Sequence, residues 1–560
     1  MLRASGISVT AQAAEASRVQ SKKPRRDALN AADDPTPPAP ICTIRTSATV
    51  VGATIPSMSE AQPPNPPMHD LQSKGLKKGS ISLIGAVSIG LAATAPAYSL
   101  TGALGHGAAE AGYQLPVVFI IAVVPMYFVA LAYKHLTDAA PDAGTVFAWG
   151  SKAIAPQVGW IGGYALLLSS VLAGVGAAGI TVNAIISALP IEDAPIIAKL
   201  AIAAVFILST TWLVARGAEE SSRTTILLTI IQYGGLILFA AILVINVVRR
   251  DRNPSAQSFS WEWFNPFAIS SFAALLGGFL VAIFIFWGFD AALSMSEETS
   301  GVPGQSGKSG VTAIIITVIT YVIIGVAALA FAGTDPSSSM SLTNENNIDD
   351  VFAALARAAV GPHGAIAAAI IIGLSAFSAT LSTVMATVRS VLSMATYKAL
   401  PERFASVDQV VQIPRFSTWF IGGTTLAIYS GLSFVSESIV EDCVYSVGIA
   451  IITYYSVVAI SSVVYFWDTA FRSWGTAFGQ VILPAIAALI LIPVGVIEAY
   501  NMAQPNNSGA SLAGVGLVFI IGVASLLFGV LLMILWNLKS PAFFRGETLK
   551  AERSRREPGQ

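Results

Sequence analysis

From Ser80 to Lys539 the chain is a succession of apolar runs, about twelve of them, each close to the ~20 residues that a helix needs to cross a hydrocarbon core. Of the 560 residues 54% are hydrophobic and only 11% charged, where a soluble domain carries about 25% charged residues. The length would otherwise suggest several soluble domains; this composition points instead to an all-α integral membrane protein with about 12 transmembrane helices. A net charge of −1 gives no field that would gather nucleic acid.

The ends of the runs carry the orientation signal. An even number of spans puts both termini on one side of the membrane. Lys74, Lys77, Lys78, Lys134, Lys152, Arg216, Arg223, Lys308, Lys398, Arg403, Arg415 and Arg472 fall on that side. The opposite loops (IED after Pro190, NENNIDD and ESIVED) are acidic, with Arg249, Arg250 and Arg252 as the main exceptions. An excess of Lys and Arg marks the cytoplasmic face, so both termini are expected in the cytoplasm and the chain in the cell membrane. Residues 1–73, with PTPPAP and PPNPP and no apolar periodicity, read as a disordered cytoplasmic tail. The stretch to Arg26 has few acids and several Arg, faintly like a transit peptide, and Met58 and Met68 are alternative starts. Residues 539–560 form a short charged tail, solvated or touching anionic lipid.

Several chemistries find no support. Cys42 and Cys443 lie far apart, and His69, His106, His135 and His363 form no HExxH element. No cofactor and no metal site is implied. GVPGQSGKSG, residues 301–310, imitates a phosphate-binding loop, but five residues rather than four separate Gly301 from Gly307 and no strand precedes it. It reads as a flexible loop.

Two runs are irregular. GSISLIGAVSIGLAATAPAYSLTGALG, residues 79–105, has Gly85, Gly90 and Thr94, then Pro96 in its middle. Proline removes a backbone donor, and the residue before it is pushed out of helical geometry. The backbone near Ala92–Ala95 is therefore a site of unwinding or a simple kink. FIFWGFDAALSMSEE, residues 284–298, breaks an aromatic run with Gly288 and follows it with Asp290. A carboxylate near the bilayer interior costs at least ~2.5 kcal/mol; backbone donors and cavity water beside an unwound turn would offset it. Glu297 and Glu298, about 10 Å further on by helical rise, are expected as solvated charges at the interface. The two runs are the first and the sixth. Five helices separate the two repeat starts, an odd number that inverts the second unit, and transporters built from inverted repeats hold substrate between two broken helices at such positions.

Three stretches resemble the amino acid–polyamine–organocation permeases, which have the LeuT-type fold. They are FWGFDAALSMSEE; HLTDAAPDAGTVFAWGSKAIAPQVGWIGGY, residues 135–164, with Pro141, Gly144, Phe147, Trp149, Pro156 and Gly159; and SATLSTVMATVRSVLSMATYKALPERFASV, residues 378–407. The resemblance covers about residues 75–470. It implies a 5+5 inverted repeat plus two C-terminal helices, with helices 1 and 6 discontinuous. The first repeat would span 74–248, the second 268–466, and the last two helices 476–538.

It also implies roles. Ala92, Ala93, Thr94 and Ala95 would offer main-chain groups to a substrate carboxylate. Phe286 and Trp287 would flank the pocket, and Gly288 and Phe289 would present carbonyls to an amino group. Asp290 would either pair near an inner gate or titrate during proton coupling. The sequence departs from the family in two places. Ala-Ala-Thr-Ala-Pro replaces the Gly-x-Gly element of the first helix. Gln232 stands where some proton-coupled members have a lysine, so this coupling position has no charge to titrate.

Ser375, Ser378, Ser382 and Arg389 share one helix face by their spacing. The serines either complete a cation site or make interhelical hydrogen bonds worth ~0.6 kcal/mol each. Gly163, Ser170, Gly174, Ala177 and Thr181 form a small-residue face, with Ser170 a pocket candidate. The function expected is a secondary active transporter of an amino acid or related small amine, coupled to protons or sodium or working by exchange. A polyamine or other organic-cation permease and a transporter-fold sensor are the alternatives. An enzyme would need clustered His, Asp or Cys in one cavity, and a channel would lack the pair of broken helices.

Overall fold

The computed structural model describes residues 74–549 apart from 189–193, 250–255, 301–305, 349, 435–436 and 506–510, with side chains also left out at 187–188 and 437–445. The N-terminal tail, the loop from Gly301 to Gln305, the acidic IED turn and the last eleven residues lie outside the described residues. What is described is helical almost throughout, with one two-residue hairpin, Ser511–Leu512 against Val515–Gly516. Among the described residues nine helical stretches are long and apolar enough to cross a membrane. The difference from about twelve has local causes. Leu83–Ala139 runs as one apolar stretch, Phe272–Phe284 is only 13 residues long, and the helix Arg415–Ser433, rich in Ser, Thr and Gly, is not among the nine.

The first irregular run is cut where its proline dictates. Helix α1 (Leu83–Ala93) is capped by the Ser82 hydroxyl, which accepts from the Gly85 amide at 3.0 Å. Had it continued, the ring of Pro96 would meet the carbonyl of Ala92, four residues back. Instead the Ala95 amide takes that carbonyl at 3.0 Å, and Ala95 adopts φ 46°, ψ 56°. Helix α2 (Pro96–Ala111) then starts with no side-chain cap. The break thus falls at Thr94–Ala95, at the C-terminal edge of the stretch the sequence suggests, and Ala92 and Ala93 stay helical.

The other helices follow as α3 (Leu115–Ala139), α4 (Val146–Ala153), α5 (Pro156–Ala188), α6 (Ile196–Ala215) and α7 (Ala218–Arg249). Helix α8 (Phe272–Phe284) ends in turns, and a single helical turn, α9 (Ala291–Ser294), resumes beyond Asp290. Between them Gly288 has φ +108°, a left-handed conformation that a side chain resists. After them come α10 (Lys308–Ala332), α11 (Val351–Val360), α12 (Pro362–Thr396), α13 (Arg415–Ser433), α14 (Glu437–Ala470), α15 (Trp474–Ala477), α16 (Leu483–Ala503) and α17 (Leu517–Lys539), with a π-helical turn, Phe478–Ile482, before α16.

The two interruptions touch. A Cβ on Gly288 would stand 2.5 Å from the Ala93 carbonyl oxygen, so only a bare Cα fits there. The Tyr321 hydroxyl of α10 lies 3.3 Å from the Thr94 carbonyl and 3.2 Å from that of Ile285, within reach of one freed group from each break. Ser99 donates to the Thr94 carbonyl at 2.8 Å. Further along, Ile81 and Thr299 form a parallel bridge: the Ile81 amide donates to Glu298, and the Ser300 amide to Ile81. The segments are therefore tied both at their breaks and at their ends.

Around this pair the long helices sort by burial. In its most apolar window Pro156–Ile186 is 78% buried, whereas Ile196–Ala215 and Leu517–Lys539 are 28% and 17% buried. Helices α6 and α17 are thus peripheral, and their outward Val205 and Leu538 suit lipid rather than water. Helix α5 packs on α14, α12 and α4, and α1 packs on α7, α10 and α12.

Gly288→Ala should destabilise the fold by about 2–5 kcal/mol, from the left-handed backbone and the overlap with Ala93 together. Gly373→Ala, where an added methyl meets open space within α12, should melt at or above the wild-type temperature. Thermal unfolding in detergent by intrinsic fluorescence compares the two; equal melting points would mean that the breaks are not in contact.

Candidate functional site

Asp290 is 3% exposed and sits beside the break in the sixth run. Two phenols of α14 reach its carboxylate. The Tyr455 hydroxyl donates to Asp290 Oδ1 at 2.8 Å, and the Tyr454 hydroxyl lies 3.4 Å from Oδ2. The same phenols hold the broken segment: the Trp287 indole donates to Tyr454, and the Gly288 amide faces the Tyr455 oxygen at 3.3 Å. Tyr133 of α3 packs edge-on against Phe289 and Tyr455, closing an aromatic shell around the carboxylate. Among the described residues no cationic side chain pairs with Asp290. A buried charge without a countercharge is costly, and hydrogen bonds from two phenols offset only part of that.

A cavity of about 10 Å³, room for roughly one water centre, opens onto this carboxylate. Its polar lining is Asp290, Ser169, Ser170, Thr383, Thr387 and Tyr454, completed by Leu166, Trp287, Gly288, Ala291 and Ala386. Ser170 Oγ and Thr387 Oγ1 are buried and have no hydrogen-bond partner. Helices α5, α12 and α14 and the α8–α9 break thus meet at one point. An amino acid does not fit in this volume, so binding one requires these helices to part.

Of the residues singled out in the sequence, Ser170, Trp287, Gly288 and Asp290 line the cavity together. Ala92, Ala93, Thr94 and Ala95 do not; they lie behind Gly288, and the Thr94 hydroxyl turns back to the Leu91 carbonyl at 2.8 Å. Phe286 and Phe289 are packed away too, against Tyr321 at 5.5 Å and against Tyr455 at 5.5 Å. Helix α12 reaches the cavity through Thr383 and Thr387, not through Ser375, Ser378 and Ser382. Those three hydroxyls are fully buried and make no hydrogen bond, so the interhelical bonds expected of them are absent among the described residues. Gln232 of α7 is fully buried as well, with both amide atoms unpartnered. Tyr454, Tyr455 and Tyr321 were missed; the only sequence signal was the tyrosine pair in ITYYSVV, in mid-run.

The acids after α9 are a clearer correction. Glu298 is not solvated: it is 1% exposed and makes a fork with Arg389, 3.0 Å from Nε and 3.0 Å from Nη2, while Nη1 donates to the Met385 carbonyl at 2.7 Å. Glu297 accepts from Lys74 Nζ at 2.6 Å and from the Ala143 amide at 2.8 Å. Lys74 also pairs with Asp142, which accepts further from Ser393, Tyr397 and the Gly144 amide at 2.8, 3.0 and 2.8 Å. Two buried networks therefore join the segment before α1, the α3–α4 connection, the segment after α9 and the end of α12. Burial raises the Asp142 carboxyl, but Lys74 and Lys152 outweigh it and hold it well below the usual carboxylate range. Burial lowers the Lys74 ammonium, and Asp142 and Glu297 more than restore it, leaving it raised.

Two outcomes follow from these networks. Glu298→Gln should cost about 3–5 kcal/mol by leaving Arg389 buried and unpaired, whereas the double change Glu298→Leu with Arg389→Met should recover most of it; a double-mutant cycle on melting checks this. The Asp142 contribution, from a depressed carboxyl, is complete above its ordinary value near ~4, and that of Lys74, from a raised ammonium, is complete below ~10.4. The melting-temperature gap between wild type and Lys74→Met should therefore be flat from about pH 5 to 9 and narrow below about pH 4. A gap that closes near neutrality would refute the pairing.

The amino acid permease profile matches residues 80–524. The chain is 24% identical over 343 residues to the branched-chain amino acid permease BcaP of Bacillus subtilis (strain 168), covering 57% of this chain and 67% of that protein. It is 26% identical over 381 residues to the vacuolar cationic amino acid transporter 4 of Arabidopsis thaliana, covering 65% and 60%. To a methylthioribose transporter of Bacillus subtilis (strain 168) it is 25% identical over 329 residues, covering 56% and 67%. With broken apolar helices around a buried carboxylate and a profile match over most of its length, the chain belongs to the amino acid permease family, a family of membrane transporters rather than enzymes.

Proposed function

We propose that the chain is a secondary active transporter that carries an amino acid or a related small amine by alternating access. The observation that carries this reading is the contact between the two interruptions, Ala93 against Gly288, next to a buried carboxylate and a water-sized cavity. Backbone groups freed inside a membrane are tolerated where they line a path for a polar solute. In this reading α1 with α2 and α8 with α9 are the first and sixth of twelve spans. The inverted repeats run from 74 to 248 and from 268 to 466, two further spans occupy 476–538, and both termini face the cytoplasm of a cell whose plasma membrane holds the protein.

The site works by parting the helices that now close on Asp290. Ala92 to Ala95 and the uncapped start of α2 would offer amides to a substrate carboxylate, and the α8–α9 turn would offer carbonyls to an amino group. Gln232, Ser375, Ser378 and Ser382, whose buried polar atoms have no partner, are the groups that would answer a coupling cation. The two ionic networks close the end that this reading assigns to the cytoplasm; opening there breaks or slides the Arg389–Glu298 and Lys74–Asp142 pairs. Proton coupling, sodium coupling and exchange predict different gradient dependences.

Uptake into proteoliposomes of a labelled panel of amino acids, amines, polyamines and methylthioribose, under imposed proton, sodium and counter-substrate gradients, tests the reading. Saturable accumulation of at least one amino acid or amine is expected; silence across the panel would overturn it. Asp290→Asn should cut that transport at least tenfold (about 1.4 kcal/mol) while folding and melting like the wild type. Unchanged kinetics and pH dependence in this variant would remove Asp290 from the mechanism.

A further inference from the structure

We infer that residues 541–549, beyond the last helix, are a strap that holds shut the end of the molecule where α1 begins, and that the seating of Phe543 sets how readily this end opens. The inference goes beyond the transport reading and is tested without flux. It starts from a mismatch in burial. Helix α17 is peripheral, and the residues it buries are Val518, Gly522 and Gly529. The chain just beyond it is different, for Phe543 and Phe544 are both buried. A helix that faces lipid along most of its length is thus anchored by two phenylalanines placed after its end.

Compact backbone turns make the anchor. The Arg545 amide donates to the Pro541 carbonyl at 3.0 Å, the Gly546 amide to that of Phe543 at 2.8 Å, and the Glu547 amide to that of Ala542 at 3.0 Å. Gly546, at φ +74°, permits the reversal. The turns present Phe543 to Phe147 of α4, with the rings stacked at 5.3 Å. Phe147 in turn packs on Tyr397, at the end of α12, at 5.9 Å. The Tyr397 hydroxyl donates to Asp142 Oδ2 at 3.0 Å, and Asp142 pairs with Lys74, ahead of α1. Lys152 lies 5.3 Å above the Tyr397 ring and 3.4 Å from the same carboxylate oxygen. Three rings and one carboxylate therefore connect the strap to the segment that leads into the first broken helix.

The turn after α12 is gripped from two sides as well. The Trp160 indole of α5 donates to the Ala399 carbonyl at 3.0 Å, and the Trp536 indole of α17 donates to the Lys398 carbonyl at 3.1 Å. Lys398 has φ +63°, a conformation that a lysine keeps only where its surroundings impose it. One of the two indoles that do so belongs to the strap's own helix. Unseating the strap removes a ring from Phe147 and a donor from this turn, and frees Tyr397 to leave Asp142. A close-packed ring is either seated or out, so the contact works as a switch between two packings.

Hydrogen exchange by mass spectrometry, on the full chain in nanodiscs, reads the ionic end through amides that donate within it: Ala143 to Glu297, Gly144 to Asp142 and Ile81 to the Glu298 carbonyl. Phe543→Ala should speed exchange in the peptides holding these amides by about tenfold or more, with α10 unchanged. Leu538→Ala, on the exposed side of α17, should change neither. Protection lost only in residues 541–549 would overturn the inference, because the segment would then be anchored without holding anything. An equal rise in α10 would overturn it too, because the whole fold would have loosened. Should Phe543→Ala fail to fold, Trp536→Phe keeps a ring and removes only the donor to Lys398. It should speed the same peptides severalfold, and unchanged exchange there would overturn the strap. A silent uptake panel, by contrast, would overturn the transport reading and leave this result standing.

Discussion

The structure depends on backbone polar groups that have left their helix in a place without water. In lipid each such group costs several kcal/mol unless it finds a partner. Pro96, preceded by Ala95 at φ 46°, marks the first break, and Gly288, at a φ that other residues resist, marks the second. Neither is tolerable alone. Set against each other, they share answers: Tyr321 reaches a carbonyl from each, Ser99 takes the Thr94 oxygen, and Tyr455 faces the Gly288 amide. The surrounding helices are placed so that one hydroxyl can serve two broken segments. This explains why Tyr321, Tyr454 and Tyr455 are buried at the breaks.

The sequence made the interruptions legible because proline and glycine act locally. Their effects are set by the residue itself and by the one before it, whatever packs outside. The apolar runs were legible for the same reason: composition alone states that they cannot face water. Which way each helix turns was much less legible. When lipid replaces water as the outer solvent, an apolar residue is equally at home inward or outward, so hydrophobic periodicity no longer marks the core face. Tyr454 and Tyr455 illustrate this; only their packing on Asp290, 164 and 165 residues away, reveals their task. Glu298 fails in a different way. Its position at the end of a run resembles an interfacial charge, and its partner Arg389 is 91 residues further on. The spacing of the serines puts them on one face of α12, yet the cavity reaches the helix one step around, at Thr383 and Thr387.

Charge and hydroxyl chemistry are segregated along the molecule. At the end where α1 begins, acids and bases are matched: Glu298 with Arg389, and Lys74 with Asp142 and Glu297. Those contacts tie four separate segments, so any rearrangement that opens this end must break several at once and proceed as a switch between two packings rather than a gradual loosening. In the middle, by contrast, the polar groups are hydroxyls and amides whose hydrogen bonds are weak or unmade: Ser170, Thr387, Ser375, Ser378, Ser382 and Gln232. Groups that are neutral and unsatisfied can accept a polar visitor without first releasing a partner.

Asp290 is the exception that links the two regions. Among the described residues it is the one carboxylate at the breaks, it lacks the base that the buried Asp142 and Glu298 possess, and it is joined through Tyr454 and Tyr455 to the turn at Trp287 and Gly288. An electrostatic deficit at that position makes the closed arrangement conditional. The phenols lower its cost, and because their oxygens accept from the Trp287 indole and the Gly288 amide, whatever displaces their hydroxyls from Asp290 also disturbs the turn they hold. In the proposed transport reading, a change of partner at the carboxylate and a change in the backbone turn are therefore coupled.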